Sequence, residues 1–399
     1  MKPGWTAVGI ASLIATVAAF LCAGIWLGGH PEKLPAFMRD AFVGGHAGLN
    51  VEATEAIEEN YFKDVSPDQL TNSSLQGMVR GLRLRYHDRF SDYFSPESLE
   101  RFREEIAGRF SGVGLIVSPV KRGLRVNHVF KRSPADRAGI EPGDVIVSVE
   151  GDSIAGVASE IATEKIKGRE GTEVEIGVLD PKSGTVQDLR LTREEIALPV
   201  AIGRVRSVAG RKLGYVRLAS FSQGSDVLLR KAVEKVDREG AEGIVLDLRE
   251  NGGGLLDEAV LAASVFLPKG EVVVTTDSRT QGHAEYRTVG ENLPRRPVVV
   301  LIDRNTASAA EILTAALADD AGAPVVGTRS FGKGVFQQEV DLSNGGALKL
   351  TVGEYFTPDG TNLTGHGIEP DVHAEDVPGT ARDEALDRAL RVLARQRER

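Results

Sequence analysis

The segment Pro324–Val340, "PVVGTRSFGKGVFQQEV", decides between two folds. Its Gly327–Gly334 portion, "GTRSFGKG", comes within one residue of the phosphate loop G-x-x-x-x-G-K-[ST], behind an apolar strand as that motif requires. A phosphate loop must open a helix, because the free N–H groups of the helix N-terminus hold the anion. Here Gly334 stands where the hydroxyl belongs. The following "VFQQEVDLSNGGALKLTVGEYF" (335–356) reads as strand, Ser-Asn-Gly-Gly turn and strand. With neither hydroxyl nor helix the nucleotide reading fails, and Lys333 needs another account.

Working outward, strands and helices alternate from about residue 213. "LGYVRLASF" precedes the helix "SDVLLRKAVEKVDREG", "GIVLDL" precedes "LLDEAVLAASVFL", "PVVVLI" precedes "ASAAEILTAALADD", and "PVVGT" follows. Continuous apolar strands between amphipathic helices predict a sheet buried on both faces. Upstream, residues 110–193 have a different texture. Short apolar strands broken by glycine ("GVGLIV", "LRVNHVF", "GDVIVSVEG", "GTEVEIGVL", "TVQDLRLTR") and one short helix near 158–167 predict a small β-rich module. Residues 51–106 carry apolar residues at helical spacing, and Ser95-Pro96 is a helix start with Ser95 as cap.

Trp5–Leu27, "WTAVGIASLIATVAAFLCAGIWL", is uncharged and apolar. As a helix it would run roughly 35 Å, enough for a hydrocarbon core of about 30 Å. An uncleaved membrane anchor is favoured over a cleaved signal peptide, since the only small-x-small site, Cys22-Ala23-Gly24, lies inside the apolar run. Lys2 would stay cytoplasmic, which puts the remainder of the chain outside, in the periplasm or extracellular space. Cys22 is the only cysteine, so the exported part has neither a disulfide nor a cysteine nucleophile. The formal charge of -9 over 399 residues, with no basic block, argues against a nucleic-acid binder.

A lysine between glycines can serve as a base if its pKa falls by about 3 units, and Phe331, Val335 and Phe336 supply apolar surroundings. The competing reading is a solvated lysine on a flexible loop. Ser308, in "DRNTASAAEILTAAL", sits where a buried strand turns into a helix, a place where N–H groups converge on an oxyanion. Ser308-x-x-Glu311 is equally a capping box, and a capping hydroxyl is less free to attack. The seven histidines (His30, His46, His87, His128, His283, His366, His373) form no H-E-x-x-H pair, and no G-x-S-x-G elbow is present. If a serine of this chain hydrolyses anything, lysine is the partner at hand.

Four ordered motifs, "DLRENGGGLL" (247–256), "NTASAAEILTAAL" (305–317), "GTRSFGKGVFQ" (327–337) and "GHGIEPDV" (365–372), together resemble the carboxyl-terminal processing peptidases, or tail-specific proteases. Ser308 and Lys333 have that family's spacing, and Gln337 falls where the family has a glutamine that orients the lysine. "SPADRAGIEPGDVIVSVEG" (133–151) and "SGVGLIV" (111–117) resemble the PDZ signature and its carboxylate-binding loop. Thr306 and Ala310 replace serines common in the family, and Gly252 replaces Pro or Ser; none of these is a side chain the mechanism needs.

The resemblance implies an α/β ClpP/crotonase-like protease core with a β-rich PDZ domain ahead of it, beside the helical region and transmembrane helix. The expected divisions are anchor 1–28, spacer and helices 29–109, PDZ 110–193, Ser–Lys peptidase core 194–375 and C-terminal helix 376–399. Ser308 is implied as nucleophile, Lys333 as base and Gln337 as its support, with an oxyanion hole from the N–H groups of Ala309 and Gly254. Asp247, Arg249 and Asn251 are expected to shape the glycine loop. The N–H groups of Gly112, Val113, Gly114 and Leu115 are implied to hold a substrate's terminal carboxylate, the tail adding a strand to the module. No metal or cofactor is implied. The expected partners are proteins with free, flexible C-termini and the membrane; self-association is left open. A non-catalytic anchored PDZ scaffold is the alternative from another class, and an acyl-thioester lyase shares the core fold without giving the PDZ module a role.

Overall fold

The structure is a computed structural model and describes residues 45–377, 379 and 382–396. The expected anchor, residues 5–27, lies outside the described residues. Among the described residues no helix is long and apolar enough to cross a membrane.

The chain divides into two compact units, Met1–Tyr93 and Phe94–Arg399. The first holds helices α1 (Gly45–Asn60) and α2 (Pro67–Tyr86). Pro67 opens α2, where a missing N–H costs nothing, and a left-handed His87 ends it. Strand β1 (Asp92–Phe94) spans the boundary between the units, and within the first unit the Tyr93 hydroxyl donates to Asn72 Oδ1 at 2.6 Å.

The second unit opens on α3 (Pro96–Ala107), capped by Ser95, whose Oγ accepts from the Ser98 N–H at 3.4 Å. A left-handed Gly108 ends the helix and the chain enters β2 (Arg109–Gly112). The β-rich module follows: β3 (Leu115–Val120), β4 (Gly123–Val129), α4 (Pro134–Arg137), β5 (Val145–Val149), β6 (Asp152–Ser153), α5 (Ser159–Ile166), β7 (Glu173–Leu179) and β8 (Val186–Thr192). Its sheet runs β3-β4-β5-β7-β8, which makes β3 an edge strand. Leu124, Val126, Ile146, Val149, Val174 and Ile176 fill its core. Strand β9 (Glu194–Ala197) then returns antiparallel to β2, closing the base of the module where the chain leaves it.

The remaining elements are β10 (Ala201–Val208), β11 (Arg211–Leu218), α6 (Ser225–Arg238), β12 (Ile244–Asp247), α7 (Leu256–Phe266), β13 (Val272–Ser278), β14 (Gly282–Arg287), β15 (Val298–Ile302), α8 (Ala309–Ala321), β16 (Val325–Gly327), β17 (Val335–Asp341), β18 (Ala347–Phe356), β19 (Val372–His373) and α9 (Glu384–Arg395). One sheet has the order β10-β11-β12-β15-β16-β19, parallel throughout except at β10–β11. Alternate side chains of its central strands go to opposite faces. Leu246, Val300 and Ile302 pack with α6, α7 and α8, whereas Val245, Val299 and Leu301 pack with Leu386, Leu390 and Leu393 of α9. The sheet is thus buried on both faces, as its unbroken apolar strands require, and each such side chain contributes about 1.5–3 kcal/mol through burial. Strands β13, β14, β17 and β18 form an antiparallel sheet, in which β17–β18 is the strand, turn and strand expected over 335–356 and the β13–β14 hairpin was not expected.

Candidate active site

Strand β15 ends at Ile302, and the segment from Asp303 to Ser308 carries the chain over to α8. Hydrogen bonds fasten that segment to its surroundings. The Asp303 N–H donates to Thr306 Oγ1 at 2.9 Å, Thr306 Oγ1 donates to the Leu248 carbonyl at 2.8 Å, and the Ala307 N–H donates to the Asn251 carbonyl at 3.0 Å. The result is a sharp turn into the helix with Ser308 at φ 56°, ψ -120°. Helix caps ordinarily sit in the extended region, and an L-residue in the observed conformation is strained. Of the predicted capping box, the half made by Glu311 is formed, its carboxylate accepting from the Ser308 N–H at 2.9 Å.

The glycine loop lies against this turn. Asn251 is fully buried; its Nδ2 donates to the Leu218 carbonyl at 2.8 Å and its Oδ1 accepts from the Gly253 N–H at 2.9 Å. A Cβ on Gly253 would stand 2.8 Å from Ser308 Cβ and 3.0 Å from the Ala309 nitrogen, so only glycine permits this approach. The Gly253 carbonyl accepts from the Phe221 N–H at 3.0 Å. Across a trans peptide the N–H points opposite the carbonyl, so the Gly254 N–H is turned away from Phe221. With Ala309 at the first helical position, Ala309 and Gly254 each offer an N–H on the Ser308 turn and its adjoining glycine loop. Arg249 bonds Asp247, Asp376 and Asp383 and ties the start of the glycine loop to the segment preceding α9.

The loop that carries Lys333 meets the Ser308 turn at Glu311, whose carboxylate accepts from both backbone amides. This loop, 328–334, joins β16 to β17, and the chain at 363–367 packs so closely on Gly332 and Gly334 that a Cβ at either would meet backbone within 2.7 Å. Lys333 Nζ donates to Gln337 Oε1 at 2.8 Å, and Gln337 Nε2 donates to Thr351 Oγ1 at 3.3 Å. The Lys333 pKa is lowered to about 8, chiefly by burial and then by the Lys349 ammonium, with Glu311 opposing both. A solvated loop lysine would show none of this. Tyr355, 1% exposed, donates its hydroxyl to the Lys333 carbonyl, and burial raises its own pKa well above the ordinary value.

Glu311 joins the two halves. One of its carboxylate oxygens takes the N–H groups of Ser308 (2.9 Å) and Lys333 (3.0 Å); the other takes the Gly332 N–H (2.8 Å) and the Ser330 hydroxyl. The sequence reading saw Glu311 only as half of a cap, and it missed Tyr355 and Lys349. Nothing local marks those residues, because the chain brings them in from β18.

In the β-rich module, the segment Gly112–Leu115 leaves two backbone amides turned outward. Gly112 closes β2 opposite Glu194, and Val113 turns its side chain into the module's core. The carbonyls of Val113 and Gly114 accept from the N–H groups of Ala135 (2.9 Å) and Phe130 (3.0 Å), which turns the N–H groups of Gly114 and Leu115 the opposite way. Leu115 begins the edge strand β3, whose outer side can receive an added strand. Among the described residues no group of His, Cys, Asp and Glu could hold a metal ion.

A family model described as peptidase family S41 matches residues 212–374, and a PDZ domain model matches residues 103–179. The carboxy-terminal processing protease CtpA of Bacillus subtilis is 32% identical over 336 residues, covering 84% of this chain and 70% of the relative. A CtpA-like serine protease of Staphylococcus aureus is 36% identical over 322 residues, covering 79% of this chain and 62% of the relative. A solved structure from Bacteroides fragilis, described as an S41 protease, shares the fold with a TM-score of 0.51 at 20% identity, covering 86% of this chain and 96% of that one. The chain belongs to peptidase family S41, the serine peptidases of carboxy-terminal processing type, with a PDZ domain set ahead of the peptidase core.

Proposed function

We propose that the chain is a membrane-anchored endopeptidase, working outside the cytoplasm, that cuts protein substrates near their C-termini after its PDZ domain has bound the tail. Neutral Lys333 Nζ takes the Ser308 proton as Oγ attacks the scissile carbonyl. The N–H groups of Ala309 and Gly254 stabilise the oxyanion, and the Lys333 ammonium then protonates the leaving amine. Water, deprotonated by the same lysine, releases the acyl group and regenerates Ser308. Gln337 accepts from Nζ and fixes its direction, and Thr351 fixes Gln337.

The observation that carries this reading is the strained Ser308 at a helix N-terminus, joined through one carboxylate to the loop of a buried lysine whose pKa is lowered to about 8. At neutral pH a fraction of that lysine is already the free base, which an ordinary lysine is not. The edge strand β3 and its turned-out amides support tail binding by strand addition. The uncharged run 5–27 supports the anchor and the location of the remainder.

The test is intact-mass analysis of a reporter with a flexible apolar tail, offered as free acid and as amide to the full chain in detergent. Shortening of the free acid by wild type, reduced by ~10³-fold or more in both Ser308→Ala and Lys333→Ala, is expected. Cutting that survives Ser308→Ala sinks the nucleophile, and equal cutting of the amide sinks tail selection. Extraction of the chain from membranes at alkaline pH would remove the anchor from the reading.

A further inference from the structure

Glu311 is 0% exposed, yet it carries a carboxylate. A buried anion costs several kcal/mol unless its lone pairs are filled, and here four donors fill them. A capping box would need one of these donors, the Ser308 N–H. The other three come from a single stretch, Ser330 to Lys333, which is distant in sequence and carries the base. One oxygen is shared between the Ser308 and Lys333 amides, so these two nitrogens lie no farther apart than two hydrogen bonds laid end to end. A shift of the lysine loop would strip donors from the carboxylate that also holds the strained serine, and the reverse is equally true.

We propose that Glu311 is a positioning residue that sets the register between nucleophile and base, so that the serine turn and the lysine loop assemble only together. The inference rests on the Ser308–Lys333 peptidase reading. The carboxylate has a second effect through its charge. The groups facing Lys333 are Glu311 from α8, Lys349 from β18 and the Tyr355 hydroxyl at the Lys333 carbonyl. Of these, Glu311 favours the ammonium and Lys349 disfavours it. Removing the Glu311 charge therefore moves the titration of Lys333 to lower pH, whereas a mere loss of fold leaves the surviving molecules titrating where they did.

The experiment measures the rate of Ser308 phosphonylation by a small fluorophosphonate between about pH 6 and pH 10, on the full chain in detergent, with the labelled fraction counted by mass. This probe needs no tail and no PDZ contact. For Glu311→Gln the plateau rate is expected to fall by at least ~30-fold, with the acid limb displaced to lower pH. Glu311→Asp keeps the charge but cannot span both loops, so its plateau should fall with the limb near the wild-type position. A wild-type plateau in either variant overturns the proposal, as does a lowered plateau in Glu311→Gln whose limb has not moved. If Glu311→Gln yields no folded protein, the Glu311→Asp plateau decides alone. Failure of wild type itself to label at Ser308 would instead strike the peptidase reading on which the inference rests.

Discussion

At the scale of single residues, the site trades stability for reactivity at two positions. Ser308 at φ 56°, ψ -120° occupies a region open in practice to glycine, and such a conformation costs an L-residue about 1–3 kcal/mol. Ser308→Gly is expected to stabilise the chain by about 1 kcal/mol in urea unfolding after the added unfolded-state entropy of glycine is subtracted, while Ser308→Ala gains nothing. Equal stabilities for the two variants would remove strain from the account. Lys333 is the second position. Burial is the main reason its pKa falls to about 8, and the neighbouring Lys349 ammonium adds to the fall because two cations disfavour each other. Without Lys349 the protonated form of Lys333 is favoured again and its pKa rises. The acid limb of the rate profile of Lys349→Gln should thus move to higher pH, with activity lost near pH 7.5 and recovered near pH 10; a limb that stays put would show that Lys349 has no part in setting the value. Ser308, Lys333 and Gln337 are singled out in the sequence by spacing and by the resemblance of their motifs, and the structure places Gln337 against Lys333 Nζ. Glu311 was half legible, since a Ser-x-x-Glu pattern announces the cap but not the three donors arriving from residues 330–333.

At the scale of elements, the glycine loop depends on how tightly it lies against its neighbours. Gly254, at φ 145°, pairs as a bridge with Phe221, and a Cβ there would stand 2.3 Å from the Phe221 carbonyl oxygen. Gly254→Ala must therefore break the bond from the Leu255 N–H to that oxygen (2.8 Å) or swing the loop away from Ser308. Either movement displaces the Gly254 N–H, the proposed oxyanion donor. Removal of one such donor costs about 3–4 kcal/mol in the transition state, so kcat is expected to fall by ~10²–10³-fold with KM little changed. A variant with wild-type kcat would exclude Gly254 as a donor. The two-faced sheet was readable because unbroken apolar strands between helices have no other stable home, as Val298–Ile302 shows with all five residues buried. The β13–β14 hairpin escaped that reading for a physical reason. Its second strand, "GHAEYR", is mostly polar and half in solvent, so its pattern resembles a loop until its partner strand is known.

At the scale of the whole second unit, α3 stands between the PDZ module and the strands beside the base. On one side Arg101 bonds Glu164 of α5 (2.9 Å) and Lys167, just after α5, reaches Glu104 (3.5 Å). On the other, Arg103 bonds Glu339 and Asp341 of β17, and the Lys349 ammonium lies 5.2 Å from the Phe94 ring and 5.3 Å from that of Phe102. Exposed ion pairs of this kind are worth roughly 0–1 kcal/mol each, too little to hold the fold. Each can break and re-form at little cost, so α3 can change partners on either side without unfolding its neighbours. If a bound tail shifts α5, α3 carries the shift to Lys349 and so to the proton on Lys333. The double change Arg101→Ala, Glu104→Ala is then expected to lower the ratio of kcat/KM for free-acid over amidated reporters several-fold, with Tm within about 2–4 °C of wild type. A ratio that holds at the wild-type value would mean that the PDZ domain acts only by raising the local concentration of substrate, through a tether that needs no contact with the base.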